Sequence, residues 1–229
     1  MTKNLRTALV VGASRGLGLG LVRAYLAQGW RVIATRRGAT KELEALSTAA
    51  GGRLVIETLD VTDEAGIAAL RQRLESETLD LLFVSAGVSN AKTAKAADVS
   101  TEAFASEMVT NALGPLRIIE AFASLVPASG VIAAMSSILG SVSGNTGGGN
   151  DVYRASKAAL NSLLRSFSAR NREHSLVVLH PGWVRTDMGG PNAAIDIDQS
   201  VAGMAEVIAS RAGKPGCVYL DYRGKPIDW

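Results

Sequence analysis

Short apolar runs recur along the chain at a nearly even spacing, with amphipathic stretches between them. The runs are 7–12 (TALVVG), 31–35 (RVIAT), 54–59 (LVIETL), 79–85 (LDLLFVS), 130–135 (GVIAAM), 176–180 (LVVLH) and 217–220 (CVYL). Their hydrophobicity is close to continuous rather than alternating. That is the pattern of strands covered on both faces, as in a parallel sheet. Helical periodicity falls at 16–28, 40–50, 63–77, 101–125, 152–171 and 199–211, with Asp63, Thr101 and Gln199 near the starts and Gly213-Lys214-Pro215 closing the last. Alternating strands and helices predict right-handed crossovers in a doubly wound α/β fold, a parallel sheet of about seven strands with helices on both faces. Nothing resembling a linker, repeat or low-complexity tail interrupts the pattern, so one domain over 1–229 is expected.

Composition adds limits rather than a fold. Of 229 residues, 47% are hydrophobic and 20% charged, which is an ordinary globular mixture with enough apolar material for a sizeable core. Cys217 is the single cysteine, so no intrachain disulfide can form, and a reducing compartment fits. The net charge of +3 comes without a dense Lys/Arg block. It suits a modest electrostatic contribution to holding a polyanionic cofactor, and with no zinc spacing or basic–aromatic run it argues against a nucleic-acid partner. The first residues are too polar for a signal segment, and no run approaches the roughly 18 apolar residues of a membrane span. A cytoplasmic protein with no membrane partner is the expectation.

Three places could carry chemistry. The first strand runs straight into Gly12-Ala-Ser-Arg-Gly16-Leu-Gly18, ahead of a helix. A glycine loop in that position lets the backbone approach a pyrophosphate and aims free N–H groups and a helix dipole at it. At the end of the second strand, where an acid commonly holds the ribose hydroxyls of NAD, the chain reads Thr35-Arg36-Arg37. With Arg15 these guanidinium groups suit the 2′-phosphate of NADP. Tyr153 and Lys157 stand four apart, on one helical face. A tyrosine of pKa about 10 is a poor acid–base group at neutrality unless a nearby cation stabilises its phenolate. Upstream, Ser136-Ser137 follows the strand GVIAAM, at the carboxyl edge of the sheet where ligands bind.

Taken in order, GASRGLG at 12–18, Asp60-Val61, SAG at 85–87, Asn111 in NALGPL, Ser136-Ser137, Tyr153-x-x-x-Lys157 and Pro181-Gly182 resemble the short-chain dehydrogenase/reductase family across nearly the whole chain. GNTGGGNDVYRASKAALN and HPGWVRTDMGGPNA resemble its carbonyl-reductase-like branch that includes the sniffer and C-factor proteins. The resemblance implies a Rossmann fold and NADP(H), with Tyr153 as proton donor, Ser137 on the same carbonyl oxygen, Lys157 on the nicotinamide ribose, and Asn111 supporting a water. It further implies cofactor contacts from Gly12, Ser14, Arg15, Gly16, Leu17, Gly18, Arg36, Arg37, Asp60, Val61, Ser85, Ala86, Gly87, Tyr153, Lys157, Pro181, Gly182, Val184 and Thr186. Two departures stand out: Ser85 replaces the usual asparagine, and more residues than usual separate Ser137 from Tyr153. That extra length leaves open whether Ser136 or Ser137 serves.

The implied activity is NADPH-dependent reduction of a small aldehyde or ketone. The alternative is a non-catalytic NADP(H)-binding signalling protein of the C-factor type. A short lid is expected around 187–199, and a homodimer or tetramer through 101–125 and 152–171. Leu160, Leu164 and Phe167 suit either that interface or the core. His174 and His180 are lone imidazoles with structural roles, and no metal-binding cluster is expected.

Overall fold

All five residues of β1 (Thr7–Val11) are buried, so both faces of the strand need cover. Its side chains alternate accordingly. Ala8 and Val10 join one apolar cluster, while Leu9 and Val11 join another on the opposite face. The computed structural model, which describes residues 5–90 and 95–229, repeats this division along a seven-stranded parallel sheet.

The remaining strands are β2 (Arg31–Arg36), β3 (Leu54–Thr58), β4 (Leu81–Val84), β5 (Val131–Met135), β6 (Ser175–His180) and β7 (Gly216–Asp221). The helices are α1 (Gly16–Ala27), α2 (Lys41–Ala49), α3 (Glu64–Arg73), α4 (Thr101–Met108), α5 (Gly114–Phe122), α6 (Asp151–Arg170) and α7 (Ile197–Arg211). Leu21 and Tyr25 of α1, Leu43 of α2 and Met204 of α7 cover one face of the sheet. Leu70 of α3, Ile118 and Phe122 of α5, and Leu160, Leu164 and Phe167 of α6 cover the other. The last three are almost wholly buried within the chain, so they belong to its core rather than to an external face.

Strand order is β3-β2-β1-β4-β5-β6-β7, so the winding reverses between β1 and β4. Connections leave in opposite directions there and open a crevice beyond the carboxyl ends of the strands. The expected long helix over 101–125 is interrupted by a π turn at Val109–Leu113, which joins α4 to α5. Helix starts differ slightly from the sequence signals: Ser100 caps α4 and Asp196 caps α7, each accepting an N–H three residues on. Residues 197–199, at the end of the expected lid, belong to α7. Among the described residues, no helix is long and apolar enough to cross a membrane.

Candidate active site

Gly12 leaves β1 with φ of 86°, in the left-handed region. A Cβ there would lie 2.8 Å from the backbone nitrogen of Ala86, so glycine is what lets the loops after β1 and β4 meet at the reversal point. Gly18 serves another purpose. A side chain on it would collide with the Gly12 carbonyl, and its absence lets the first turn of α1 pack directly on the loop. Thr35, at the end of β2, anchors the turn: its hydroxyl accepts the Gly12 N–H at 3.1 Å and its carbonyl the Ala13 N–H at 2.8 Å. No side chain caps α1 and no acid stands in its first turn. The amide groups of that turn and their dipole therefore remain available to an anion.

From this loop a groove of about 890 Å³ runs along the strand ends, a size suited to a cofactor-scale ligand. Every glycine-loop residue of the expected set lines it, as do Arg36, Arg37, Asp60, Val61, Ser85, Ala86 and Gly87. Tyr153 and Lys157 line its far end, and Pro181 and Thr186 its outer wall with Asp187, Met188 and Pro191. Gly182 and Val184 do not line it. Val184 is buried by its bridge to Ile195, and Gly182 is packed toward Ile195 and Tyr222.

The three arginines each meet a carboxylate. Arg36 bonds Glu44 at 2.9 Å and is mostly buried, Arg37 lies 3.9 Å from Asp60, and Arg15 spans the groove mouth to Asp187 at 2.8 Å. Asp60 is held below the usual carboxylate range, chiefly by the Thr62 N–H, with the Thr62 hydroxyl and the Arg37 charge adding to it. A phosphate entering here would exchange one set of charge-assisted bonds for another.

At the inner end, Tyr153 and Lys157 rise from the first two turns of α6. The Lys157 ammonium donates to the Met135 carbonyl at 2.9 Å and lies 5.7 Å from the centre of the Tyr153 ring. The Ser137 side chain stands near enough to the Tyr153 phenol to favour its charged form. The two neighbouring serines are used differently. Ser136 donates to Asn161 Oδ1 at 2.7 Å in a buried pair, whereas Ser137 Oγ accepts only the Leu139 N–H among backbone groups. The hydroxyl beside Tyr153 is that of Ser137.

Asn111, in the π turn, is fully enclosed. Its Oδ1 accepts the Val88 N–H at 2.7 Å, and its Nδ2 donates to the Val88 carbonyl and to Ser156 Oγ. The side chain thus props the loop after β4, with both of its N–H groups taken. Gly87 fits between the two groups: a Cβ on it would lie 3.2 Å from Lys157 Nζ and 3.3 Å from Asn111 Oδ1.

Burial pushes the Tyr153 phenol up to about 12, against the Ser137 hydrogen bond and with the Glu107 charge adding to the rise. The ring keeps one edge open to the groove. Burial pulls Lys157 down to about 8, opposed by the same Glu107 charge. The expected lowering of the tyrosine by the lysine is therefore outweighed by enclosure. Glu107 was not singled out by the sequence. It is 1% exposed, accepts the Asn90 N–H at 3.0 Å, and has its second oxygen without a hydrogen-bond partner among the described residues. A charged residue one turn before Asn111 was the only available signal.

A family model for short chain dehydrogenase matches residues 6–195. Among curated relatives, the C-signal of Myxococcus xanthus is 40% identical over 155 residues, 66% of this chain and 93% of its own length. A short-chain dehydrogenase/reductase from Burkholderia multivorans, solved with bound NADP, is 45% identical with a TM-score of 0.95, covering 98% of this chain and all of its own. The carbonyl reductase Sniffer of D. melanogaster is 32% identical with a TM-score of 0.89, covering 99% of this chain and all of its own.

Proposed function

We infer that this chain, which belongs to the short-chain dehydrogenase family and is a nicotinamide-dependent oxidoreductase of carbonyl or alcohol groups, uses NADPH to reduce a small aldehyde or ketone. One observation carries the reading. Tyr153 and Lys157 from α6 line the inner end of a groove, with Ser137 beside the tyrosine just after β5, and the outer end offers an uncapped helix start and three arginines. The groove's close-packed glycines, free amides and guanidinium groups fit a phosphorylated dinucleotide, and NADP is bound in the Burkholderia structure.

When bound, the nicotinamide supplies the hydride that reaches the carbonyl carbon. The chain's own residues handle the proton. Tyr153 gives its phenolic hydrogen to the carbonyl oxygen, while the Ser137 hydroxyl donates to that same oxygen and sets its direction. The Lys157 ammonium balances the phenolate left behind and is itself held in place by the Met135 carbonyl. Asn111 keeps Val88, a groove-lining residue, in position. The segment 187–196 forms the lid, tied to the glycine loop through Arg15 and Asp187. Homodimerisation would use the exposed stretch of α4 around Phe104, and light scattering in solution would report it.

The test is NADPH oxidation across a panel of aldehydes and ketones, with Tyr153→Phe beside the wild type. Turnover by the wild type that is lost in the variant, with NADPH still bound, is the expected result; full kcat in Tyr153→Phe would remove the assignment. The likeness to the C-signal supports a second reading, an NADP(H)-binding signalling protein without turnover. Cofactor binding with no oxidation across the panel would favour it.

A further inference from the structure

Tyr219 lies in the middle of the edge strand β7, far in sequence from Ser137 and Tyr153. It is 2% exposed, and its hydroxyl donates to the backbone carbonyl of Ser137. The same hydroxyl lies within hydrogen-bonding reach of the Ser136 and Asn161 side chains, the pair that fixes the other serine. After β7 the chain turns at Asp221–Lys225 and comes back antiparallel, with Leu220 bridging Pro226 and the Ile227 N–H donating to the Tyr219 carbonyl. This return places the Trp229 ring 5.3 Å from the Tyr219 ring, with the Arg165 guanidinium 4.7 Å from the centre of the Trp229 ring. The Trp229 carbonyl then accepts both the N–H and the hydroxyl of Ser143, just ahead of the glycine-rich loop.

We propose that Tyr219 is a positioning residue for the carbonyl-orienting Ser137, and that the return segment ending in Trp229 holds Tyr219 to that task and ties down the loop beside the pocket. Ser137 stands where the backbone leaves the sheet, in extended conformation, before a single turn at Ile138–Gly140. Its carbonyl accepts the Gly140 N–H of that short turn at 2.8 Å and the Tyr219 hydroxyl, and the Tyr219 bond is the one that ties this peptide plane back to the sheet. That plane in turn sets where Ser137 Oγ points relative to Tyr153. Misplacement of a catalytic group by about 1 Å can cost a hundredfold in rate, so a single bond at this point has leverage. The edge strand has no other evident reason to bury a phenol against this carbonyl, since phenylalanine would fill the same space.

The proposal rests on the reductase reading, and its test separates the two. Tyr219→Phe removes the hydroxyl alone, and Trp229→Leu removes the ring behind it. In both, kcat for carbonyl reduction should fall by about tenfold or more, with NADPH affinity changed less than about twofold. Hydrogen exchange should quicken across Ser136–Ser143 and stay unchanged in β1 and α1. Unchanged kcat in Tyr219→Phe would overturn the proposal. So would a loss matched by an equal loss of NADPH affinity with faster exchange throughout the sheet, because that pattern is general destabilisation. If the wild type reduces no carbonyl, the reductase reading fails, and exchange at Ser136–Ser143 still decides whether Tyr219 holds the serine.

Discussion

The Ser136 hydroxyl donates to Asn161 Oδ1 at 2.7 Å, joining the end of β5 to the third turn of α6 in a pair closed to solvent. That bond favours Ser137 as the proposed carbonyl-orienting hydroxyl. Ser136 is committed to structure, and Ser137 Oγ is the hydroxyl beside Tyr153. Ser137→Ala should therefore lower kcat by roughly 10²-fold or more, the usual loss when one donor to a developing oxyanion is removed. Ser136→Ala takes the donor from the buried Asn161 Oδ1, costing about 1–3 kcal/mol of stability, with kcat nearly retained. Steady-state rates and urea unfolding of both variants check the split; a larger kcat loss in Ser136→Ala would reverse the assignment.

The pH profile follows from the two buried groups on α6. Tyr153, up at about 12, stays protonated through the working range, while Lys157, down at about 8, does not. As pH rises through about 8, the ammonium that balances the phenolate is lost, so kcat for reduction should decline on an alkaline limb belonging to Lys157. Glu107 opposes the lowering of Lys157, so Glu107→Gln should move the limb to lower pH. Glutamine still offers an oxygen to the Asn90 N–H, which keeps the local fold. A limb that stays in place in Glu107→Gln would show that its charge does not reach the relay.

The strands could be read from sequence because burial on both faces makes their hydrophobicity continuous, and β1, β5 and β6 differ from the predicted spans by one residue at most. The groove was equally legible, since Gly12 and Gly18 are dictated by local backbone geometry. What escaped depends on partners distant in sequence. Glu107 looks like any helix-surface acid until the Asn90 backbone closes over it. Tyr219 reads as an ordinary edge-strand aromatic, because its hydroxyl partner lies 82 residues earlier. The π turn at Val109–Leu113 leaves no mark in hydrophobic periodicity, and Val184 was turned inward by a bridge to Ile195 that no local pattern encodes.

His180, at the end of β6, should govern part of the acid sensitivity of folding. Burial lowers it to about 4, with the Asp221 charge opposing. The unfolded imidazole titrates near its ordinary 6.5, so between these values the unfolded chain binds the proton first. The stability concerned is present above about pH 6.5 and is lost as pH falls through about 4. Replacing the imidazole, as in His180→Asn, should flatten the fall in unfolding free energy across that window by roughly 1–3 kcal/mol. Parallel curves for variant and wild type from denaturant titrations at stepped pH would refute it.

Cofactor preference should rest more on Arg36 than on Arg37. Both line the groove at the end of β2, and the strand's own last residues, Thr35-Arg36-Arg37, include no acid. Arg36 is held by Glu44 at 2.9 Å with little of its side chain exposed, whereas Arg37 is 68% exposed and only loosely placed by Asp60. A guanidinium already fixed in position loses less entropy on meeting a phosphate, so its bond contributes more to affinity. Arg36→Ala should weaken NADPH binding by about 10- to 100-fold, the range for one charge-assisted bond, and leave NADH binding within about twofold. Arg37→Ala should do the same to a smaller degree. Equal weakening of both cofactors would place the arginines on the pyrophosphate or the adenine instead, and the 2′-phosphate would then have to be recognised by Arg15 at the mouth of the groove.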